Sequence, residues 1–264
     1  SSDLLAGGHP GALYRLAHAV SNRGVGAIRT LLRPLRKDLL LRHNDDPQWP
    51  SYLSFELALR RLPAGDRERV AALAFFRDGA NRIALRHTLE IEASAIDALS
   101  ERLIALGLAE DQGYGHLRFD PTLSQYLNSR MDPDQRGRWR DRWRAGMEHL
   151  LAFLYHQYFK DNVRTIRLLR LELPNLLNLL RDCYQHNTSA ERTARLSGQL
   201  EQLLAHLNVP SALAEIVASR ERASQSLLGW TRTRFETELL RIERLRDAGS
   251  LEDALHATRQ LLRQ

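Results

Sequence analysis

Apolar residues recur at helical spacing in the first half of the chain, over residues 93–106. Ile96, Leu99 and Leu103 follow one another at intervals of three and four, which places them on one face of an α-helix. Gly107 comes next, and glycine is the residue that most often ends a helix. The pattern therefore predicts an amphipathic helix that ends at Gly107.

Two short runs follow this helix, residues 108–111 and 116–120, with a glycine-containing turn between them. Leu117 and Phe119 alternate with polar residues, as expected of a strand with one buried face. Pro121 then opens another helix. The order predicts a winged-helix domain with a two-stranded wing, and we expect no strands elsewhere in the chain.

The remaining pattern is helical on both sides of the wing. Ser51 and Asp66 are predicted N-caps of two helices before it. After the wing, a long helix over 133–159 carries Trp139 and Trp143, which we expect in the core. Further helices are predicted over 163–184 with a break at Pro174, and over 189–207, 211–228, 231–248 and 250–263.

The last two of these helices span 34 residues, 231–264, which is the tetratricopeptide period. Successive helix pairs of this kind stack on one another and leave a surface for a partner. The predicted fold class is therefore mainly α, in three parts. A helical lid unit occupies residues 1–50, a winged-helix domain 51–132, and a tetratricopeptide-like α-solenoid 133–264.

The net charge of +6 invites a nucleic-acid interpretation, but its distribution does not favour one. Almost all the positive residues are arginines, and they alternate with acidic residues along the helices. The helix before the wing, which would enter the major groove, carries Glu92, Asp97 and Glu101 against Arg102 alone. Because DNA phosphates repel such a helix, we expect no DNA binding and a winged helix that packs on other domains.

Cysteine content and hydropathy indicate the cellular compartment in which the protein is expected. The single cysteine, Cys183, excludes an internal disulfide and a cysteine-rich zinc site, and in a leucine-rich helix it is expected to be a buried, inert thiol. No apolar run approaches the ~20 residues that span a bilayer. The expectation is a soluble, cytoplasmic protein without a membrane partner.

Motifs for catalysis and metal binding are missing from the sequence. It has neither a P-loop nor an H-E-x-x-H or G-x-S-x-G motif, and its ten histidines are scattered. His149 and His156 share a helix face, but a third ligand is lacking, so exposed side chains are expected. We predict no catalytic residue and no metal site, and expect that this fragment alone is not an enzyme.

Three segments in a fixed order give the chain a family resemblance. Gly8-His9-Pro10 leads into a helix, the stretch 52–63 (YLSFELALRRLP) precedes the winged helix, and the phrase 172–180 (ELPNLLNLL) opens the repeats. In this order they resemble the C-terminal part of a bacterial NB-ARC-type STAND ATPase. The resemblance covers residues 4 to about 180.

The resemblance implies roles for three residues. Gly8 and Pro10 match the loop whose proline lies against the adenine nucleotide, and Asp120 stands where the family has a phosphate-sensing histidine. A carboxylate there repels a phosphate unless it is protonated or bridged by a cation. Two of these positions also have a structural interpretation, since Pro10 suits the first turn of a helix and Asp120 suits an N-cap.

The function implied by the resemblance is the regulatory and sensor portion of a signal-transduction ATPase. ATP or ADP would be held by the full-length protein, with the P-loop in an upstream nucleotide-binding domain, and none by this fragment alone. A protein or peptide would bind the repeats, and activation would form a homo-oligomer. Two alternatives remain open: a winged-helix transcriptional regulator, and a helical-repeat scaffold with no nucleotide link.

Overall fold

A computed structural model describes residues 10–42, 48–186, 188–205, 207–227 and 229–264. The fold is mainly helical with a small three-stranded sheet, as the sequence predicts in outline. Packing divides the chain into two compact units, residues 1–146 and 147–264. The finer division into lid, winged helix and repeats stays a prediction.

Unit 1 contains the sheet and most of the shorter helices. Its elements are α1 (Pro10–Arg23), α2 (Val25–Arg42), α3 (Trp49–Leu59), α4 (Ala64–Val70), a 3₁₀ helix (Ala71–Phe75), β1 (Gly79–Asn81), α5 (Arg82–Leu89), α6 (Ala93–Ala105), β2 (Ala109–Asp111), β3 (His116–Phe119), α7 (Pro121–Ser129) and the first part of α8 (Pro133–Tyr158). Helix α6, the wing strands and α7 lie within two residues of their predicted bounds.

The sheet corrects the prediction of a two-stranded wing. Strand β1 pairs antiparallel with β3 on the side opposite β2, giving the order β1-β3-β2. A Cβ on Gly79 would lie 2.3 Å from the carbonyl oxygen of Leu117, so this close pairing requires glycine. The segment has only three residues and no alternation of polar and apolar positions, which is why the sequence pattern did not reveal it.

Two predicted N-caps were wrong. Helix α3 begins at Trp49, so Ser51 lies inside its first turn and its carbonyl oxygen accepts a hydrogen bond from the Ser54 hydroxyl (2.7 Å). Asp66 lies in the first turn of α4, where its Oδ2 is 2.7 Å from Nη2 of Arg102 on α6. In both cases the polar side chain occurs two residues after the first residue of the helix.

The first part of α8 closes the core of unit 1. Trp143 is 1% exposed and packs on Phe75 and Phe76, with ring centroids 6.1 Å and 6.5 Å away. Trp139 is also buried, so both tryptophans are core residues as predicted. One turn further on, Gly146 lets α8 approach α5, because a Cβ there would lie 2.3 Å from Oγ1 of Thr88.

This contact predicts opposite effects at two glycines of one helix. Gly146→Ala is expected to lower the free energy of unfolding by about 1–3 kcal/mol, because the new methyl group overlaps Thr88 and forces the helices apart. A Cβ on Gly137 would have no neighbour within 4 Å. Gly137→Ala is therefore expected to raise the free energy of unfolding by up to about 1 kcal/mol, because alanine has the higher helix propensity. Thermal unfolding of both variants followed by circular dichroism is the test. Equal effects would contradict the close approach of α8 to α5.

Unit 2 consists of helices alone in its described part. After the end of α8 come α9 (Asn162–Gln185), α10 (Ala190–Leu204), α11 (Pro210–Gln225), α12 (Arg232–Asp247) and α13 (Leu251–Leu261). Helix α10 packs on α11 and on α12, and α12 packs on α13. The predicted break at Pro174 was wrong, because α9 continues through it. Buried Leu169 and Leu176 hold the turns on either side of the proline in the core.

A buried ion pair joins three helices of unit 2. Arg220 on α11 is fully buried, and its Nε donates to Oε2 of Glu201 on α10 at 2.7 Å. Its Nη1 donates to the carbonyl oxygen of Thr237 on α12 at 2.8 Å. Arg244, also on α12, lies 3.1 Å from the second oxygen of Glu201 and 2.8 Å from Glu221. The network fixes α10, α11 and α12 against one another.

Candidate functional site

The three residues with implied roles fall at the start of α1 and at the junction of β3 and α7. Pro10 is the first residue of α1, and Gly8 lies outside the described residues. Asp120 is the N-cap of α7, with its Oδ1 accepting a hydrogen bond from the Thr122 amide at 3.0 Å. The capping interpretation of Asp120 is therefore confirmed, whereas nucleotide contact by these residues stays a prediction.

Asp120 and the first turns of α1 line one cavity of about 820 Å³, which we call the α1 cavity. Its other walls are the turn from α6 into β2 and the ends of β2 and β3. The volume falls within the range of small-molecule sites in proteins, about 300–1,000 Å³. Its lining residues include Gly11, Tyr14, Arg15, Ile104, Gly107, Leu108, Glu110, Asp111, Arg118, Phe119 and Asp120.

Arg15 connects the walls of the α1 cavity, and the sequence analysis missed it. Its side chain is 3% exposed, and its Nη2 lies 3.2 Å from Oδ2 of Asp120. Its Nε donates to Oγ of Ser54 at 2.9 Å, its Nη1 donates to the carbonyl oxygen of Gly107 at 3.2 Å, and its guanidinium carbon lies 4.2 Å from the centroid of the Phe55 ring. One side chain thus fastens α1 to α3, to the end of α6 and to the start of α7.

The environment of Arg15 explains how a charge is tolerated there. Burial lowers the pKa of the Arg15 guanidinium, and the neighbouring Asp120 carboxylate partly offsets that effect by favouring the charged form. Asp120 has one oxygen on the guanidinium and the other on the amide end of α7. Its negative charge is therefore balanced within the fold by a guanidinium and a helix N-terminus.

Gly107 brings α1 and the α6–β2 turn into contact. The residue has a positive φ of 65°, the conformation that glycine adopts most easily at a helix end. A Cβ there would also lie 2.9 Å from the Tyr14 ring. Tyr14 itself is 59% exposed, so its ring lies over the turn and borders the cavity.

Apolar surface and charges of both signs make up the cavity wall. Ile104, Leu108 and Phe119 provide apolar surface suited to an aromatic ring. Two guanidinium groups, of Arg15 and Arg118, stand against three carboxylates, those of Glu110, Asp111 and Asp120. With this balance, the wall accepts a ring more readily than it accepts several phosphate charges.

A second buried cluster holds α7 on α3. The Tyr126 hydroxyl donates to Oε2 of Glu56 at 2.6 Å, and Arg130 lies 2.6 Å from the same oxygen. Burial by itself would raise the pKa of Glu56, but hydrogen bonds from Tyr126 and Arg60 and the charge of Arg130 outweigh it and leave that pKa below its ordinary value. Burial and the Glu56 charge raise the pKa of Tyr126, so its hydroxyl stays a donor. The cluster fixes the helix that begins at Asp120.

One carboxylate on α6 and one on β2 are paired with the same arginine. Arg82 contacts Asp97 on α6 at 3.4 Å and Asp111 on β2 at 3.1 Å. Arg102, the basic residue near the end of α6, contacts Asp66 at 2.7 Å. This surface therefore presents arginines that are bound to acidic partners within the domain.

The histidines and Cys183 are the residues that a metal site or a reactive thiol would use. In the described ranges, no three histidine, cysteine, aspartate or glutamate side chains converge so that they could hold a metal ion. His149 and His156 are both exposed on α8, as predicted. Cys183 is a buried thiol, 1% exposed, as expected of a core residue.

A search for membrane-spanning helices and a comparison with known proteins were both negative. The helices described here include none with the length and apolar composition needed to cross a bilayer. Comparison with protein-family models, curated proteins and solved structures gave no match. Function is therefore inferred from the residues of this chain.

Proposed function

We propose that this chain is the regulatory and sensor portion of a signal-transduction ATPase of the NB-ARC-type STAND family. The observation that carries the proposal is the α1 cavity. The helix that begins at Pro10 and the carboxylate of Asp120, remote in sequence, border the same cavity of nucleotide size. These are the two places at which the family resemblance implies contact with a nucleotide.

The element order of unit 1 also supports a winged helix in residues 51–132. The 3₁₀ helix, β1, α5, α6, β2 and β3 follow in the helix, strand, helix, helix, strand, strand order of winged-helix domains, with β3 between β1 and β2. The paired charges on α6 favour packing over DNA readout. In unit 2, successive packed helices support the proposed repeat array.

The proposed mechanism is a two-state switch. In the resting state the lid and the winged helix close over ADP, with Tyr14 and the apolar wall of the α1 cavity against the base. The phosphates bind a P-loop domain on the same or another polypeptide, because both guanidiniums on the cavity wall already face carboxylates, Arg15 that of Asp120 and Arg118 that of Glu110. A partner that binds the repeats more tightly in the open state shifts the population toward nucleotide exchange and oligomerisation.

Nucleotide affinity of the complete gene product tests this proposal. Tyr14→Ala is expected to weaken ADP binding at least about fivefold, because base stacking on an aromatic ring contributes about 1–3 kcal/mol. The matched control is Tyr184→Ala, which removes a tyrosine of similar exposure, 65%, from unit 2. Calorimetric titration with ADP measures both.

Two other results would point elsewhere. A gene product that binds no ADP, or binds it equally well with Tyr14→Ala, would overturn the clamp and favour a repeat scaffold. A salt-dependent mobility shift with duplex DNA at physiological ionic strength would favour a transcriptional regulator.

A further inference from the structure

Unit 2 contains a groove of about 430 Å³, here called the α10 groove, between the end of α8 and the helices α10 and α12. Ala194 and Gly198 of α10 lie along it, four residues apart on one helix face. A Cβ on Gly198 would lie 3.3 Å from Cδ1 of Leu240, so α12 approaches α10 closely at this point. Leu240 therefore lies against α10 at this point, and polar and apolar side chains share the walls of the groove.

The charged side chains of the groove come from opposite walls. Arg195 on α10 is half exposed, and the nearest carboxylate oxygen, on Glu148, is 3.9 Å away and belongs to a group that already accepts from Arg192. Arg232 on α12 is 91% exposed and lies 2.8 Å from Glu236. Exposed pairs of this kind contribute little, so both guanidiniums can exchange their partner for an incoming carboxylate.

Uncharged hydrogen-bonding groups complete the walls. The Tyr155 hydroxyl of α8 donates to Oε1 of Gln202 at 2.6 Å, which fixes the amide orientation and leaves its NH₂ group as a donor. Gln199 adds an amide, and the Thr233 hydroxyl, which donates to Oε1 of Glu191 at 3.3 Å, adds an acceptor. Such groups suit the carbonyl and amide groups of an extended main chain.

We propose that the α10 groove binds an extended peptide segment that carries acidic side chains, with Arg195 and Arg232 contacting the carboxylates. Within the groove, two guanidiniums outnumber the single carboxylate of Glu236. A peptide with separated charges matches this arrangement, whereas Glu236 would repel the continuous charge of a nucleic acid. The inference rests on the proposed function only in taking unit 2 as the partner-binding part.

Reversing the charge of the two groove arginines in the full 264-residue chain tests whether the groove binds an acidic peptide. The probes are three fluorescein-labelled peptides, which consist of five repeats of Glu-Ser, of Gln-Ser or of Lys-Ser. Binding of each peptide to the protein is measured by fluorescence anisotropy. We expect saturable binding of the Glu-Ser peptide only, weaker at higher salt. The double variant Arg195→Glu/Arg232→Glu is expected to lose this binding at least about tenfold and to gain binding of the Lys-Ser peptide.

The matched control is Arg170→Glu/Arg259→Glu, which changes the net charge equally at two exposed arginines of α9 and α13 outside the groove. An equal loss in both double variants, no saturable binding of the Glu-Ser peptide, or tighter binding of a ten-nucleotide single-stranded DNA would overturn the proposal. Circular dichroism melting shows whether each variant is folded. No nucleotide is present, so a failure here is independent of the ADP result.

Discussion

Arg15→Met is expected to lower the free energy of unfolding of unit 1 by about 3–5 kcal/mol. Methionine keeps the unbranched apolar stem of the side chain but removes the guanidinium, and with it every donor and the contact with the Phe55 ring. Asp120, whose side chain is 10% exposed, would keep its negative charge but lose the Arg15 guanidinium beside it. The carbonyl oxygen of Gly107 and the Ser54 hydroxyl would each lose a partner.

Tryptophan fluorescence during urea unfolding can measure this loss. In a Trp230→Phe background the three remaining tryptophans all lie in unit 1, so the signal reports on that unit. Arg33→Met, at an exposed arginine of α2, is the control and is expected to change stability by less than about 0.5 kcal/mol.

A second variant separates the electrostatic cost of losing the Arg15–Asp120 ion pair from the cost of lost packing. Arg15→Met/Asp120→Asn keeps a capping side chain at position 120 but removes its charge, so part of the lost stability should return. A cost below about 1 kcal/mol for Arg15→Met would contradict the view that this residue fastens the walls of the α1 cavity.

Glu201→Leu is expected to cost unit 2 about 3–5 kcal/mol, because it leaves the fully buried Arg220 without an anion. Arg220 would keep its hydrogen bond to the carbonyl oxygen of Thr237, and Arg244 would keep Glu221. Neither contact neutralises the guanidinium of Arg220. The effect should therefore be concentrated in α10, α11 and α12.

Hydrogen exchange of these three helices under mild denaturant measures the effect where it is expected. The double variant Glu201→Leu/Arg220→Met should regain most of the protection, because apolar residues often replace a buried ion pair at little cost. The control is Glu243→Leu, which removes a carboxylate of α12 that makes no ion pair with another described residue. Equal exchange in Glu201→Leu and Glu243→Leu would contradict the role of the network.

Local pattern was sufficient wherever one helix face is apolar and its ends carry strong signals. Helix α6, the glycine that ends it, the two wing strands and the helix that begins at Pro121 were predicted within two residues. Polar residues near a helix start were less informative. Ser51 and Asp66 have the side chains of N-caps, but the chain had already entered a helix before each of them.

Tertiary contacts decided what local pattern could not. Strand β1 exists because the backbone of β3 pairs with it, and Pro174 stays inside α9 because buried leucines lie on both sides of it. The position of Arg15 in the sequence does indicate burial, since it shares a helix face with the apolar residues Ala12 and Leu16, which are buried.

The sequence by itself determined that this chain is mainly helical with a small sheet, and a family resemblance drew attention to Asp120. Only the tertiary structure supplied the partner of Asp120, because Arg15 is 105 residues away in the chain and no spacing rule connects two helices at that distance. The same reason applies to the α10 groove. Arg195 and Arg232 look like ordinary surface arginines until packing sets α10 beside α12.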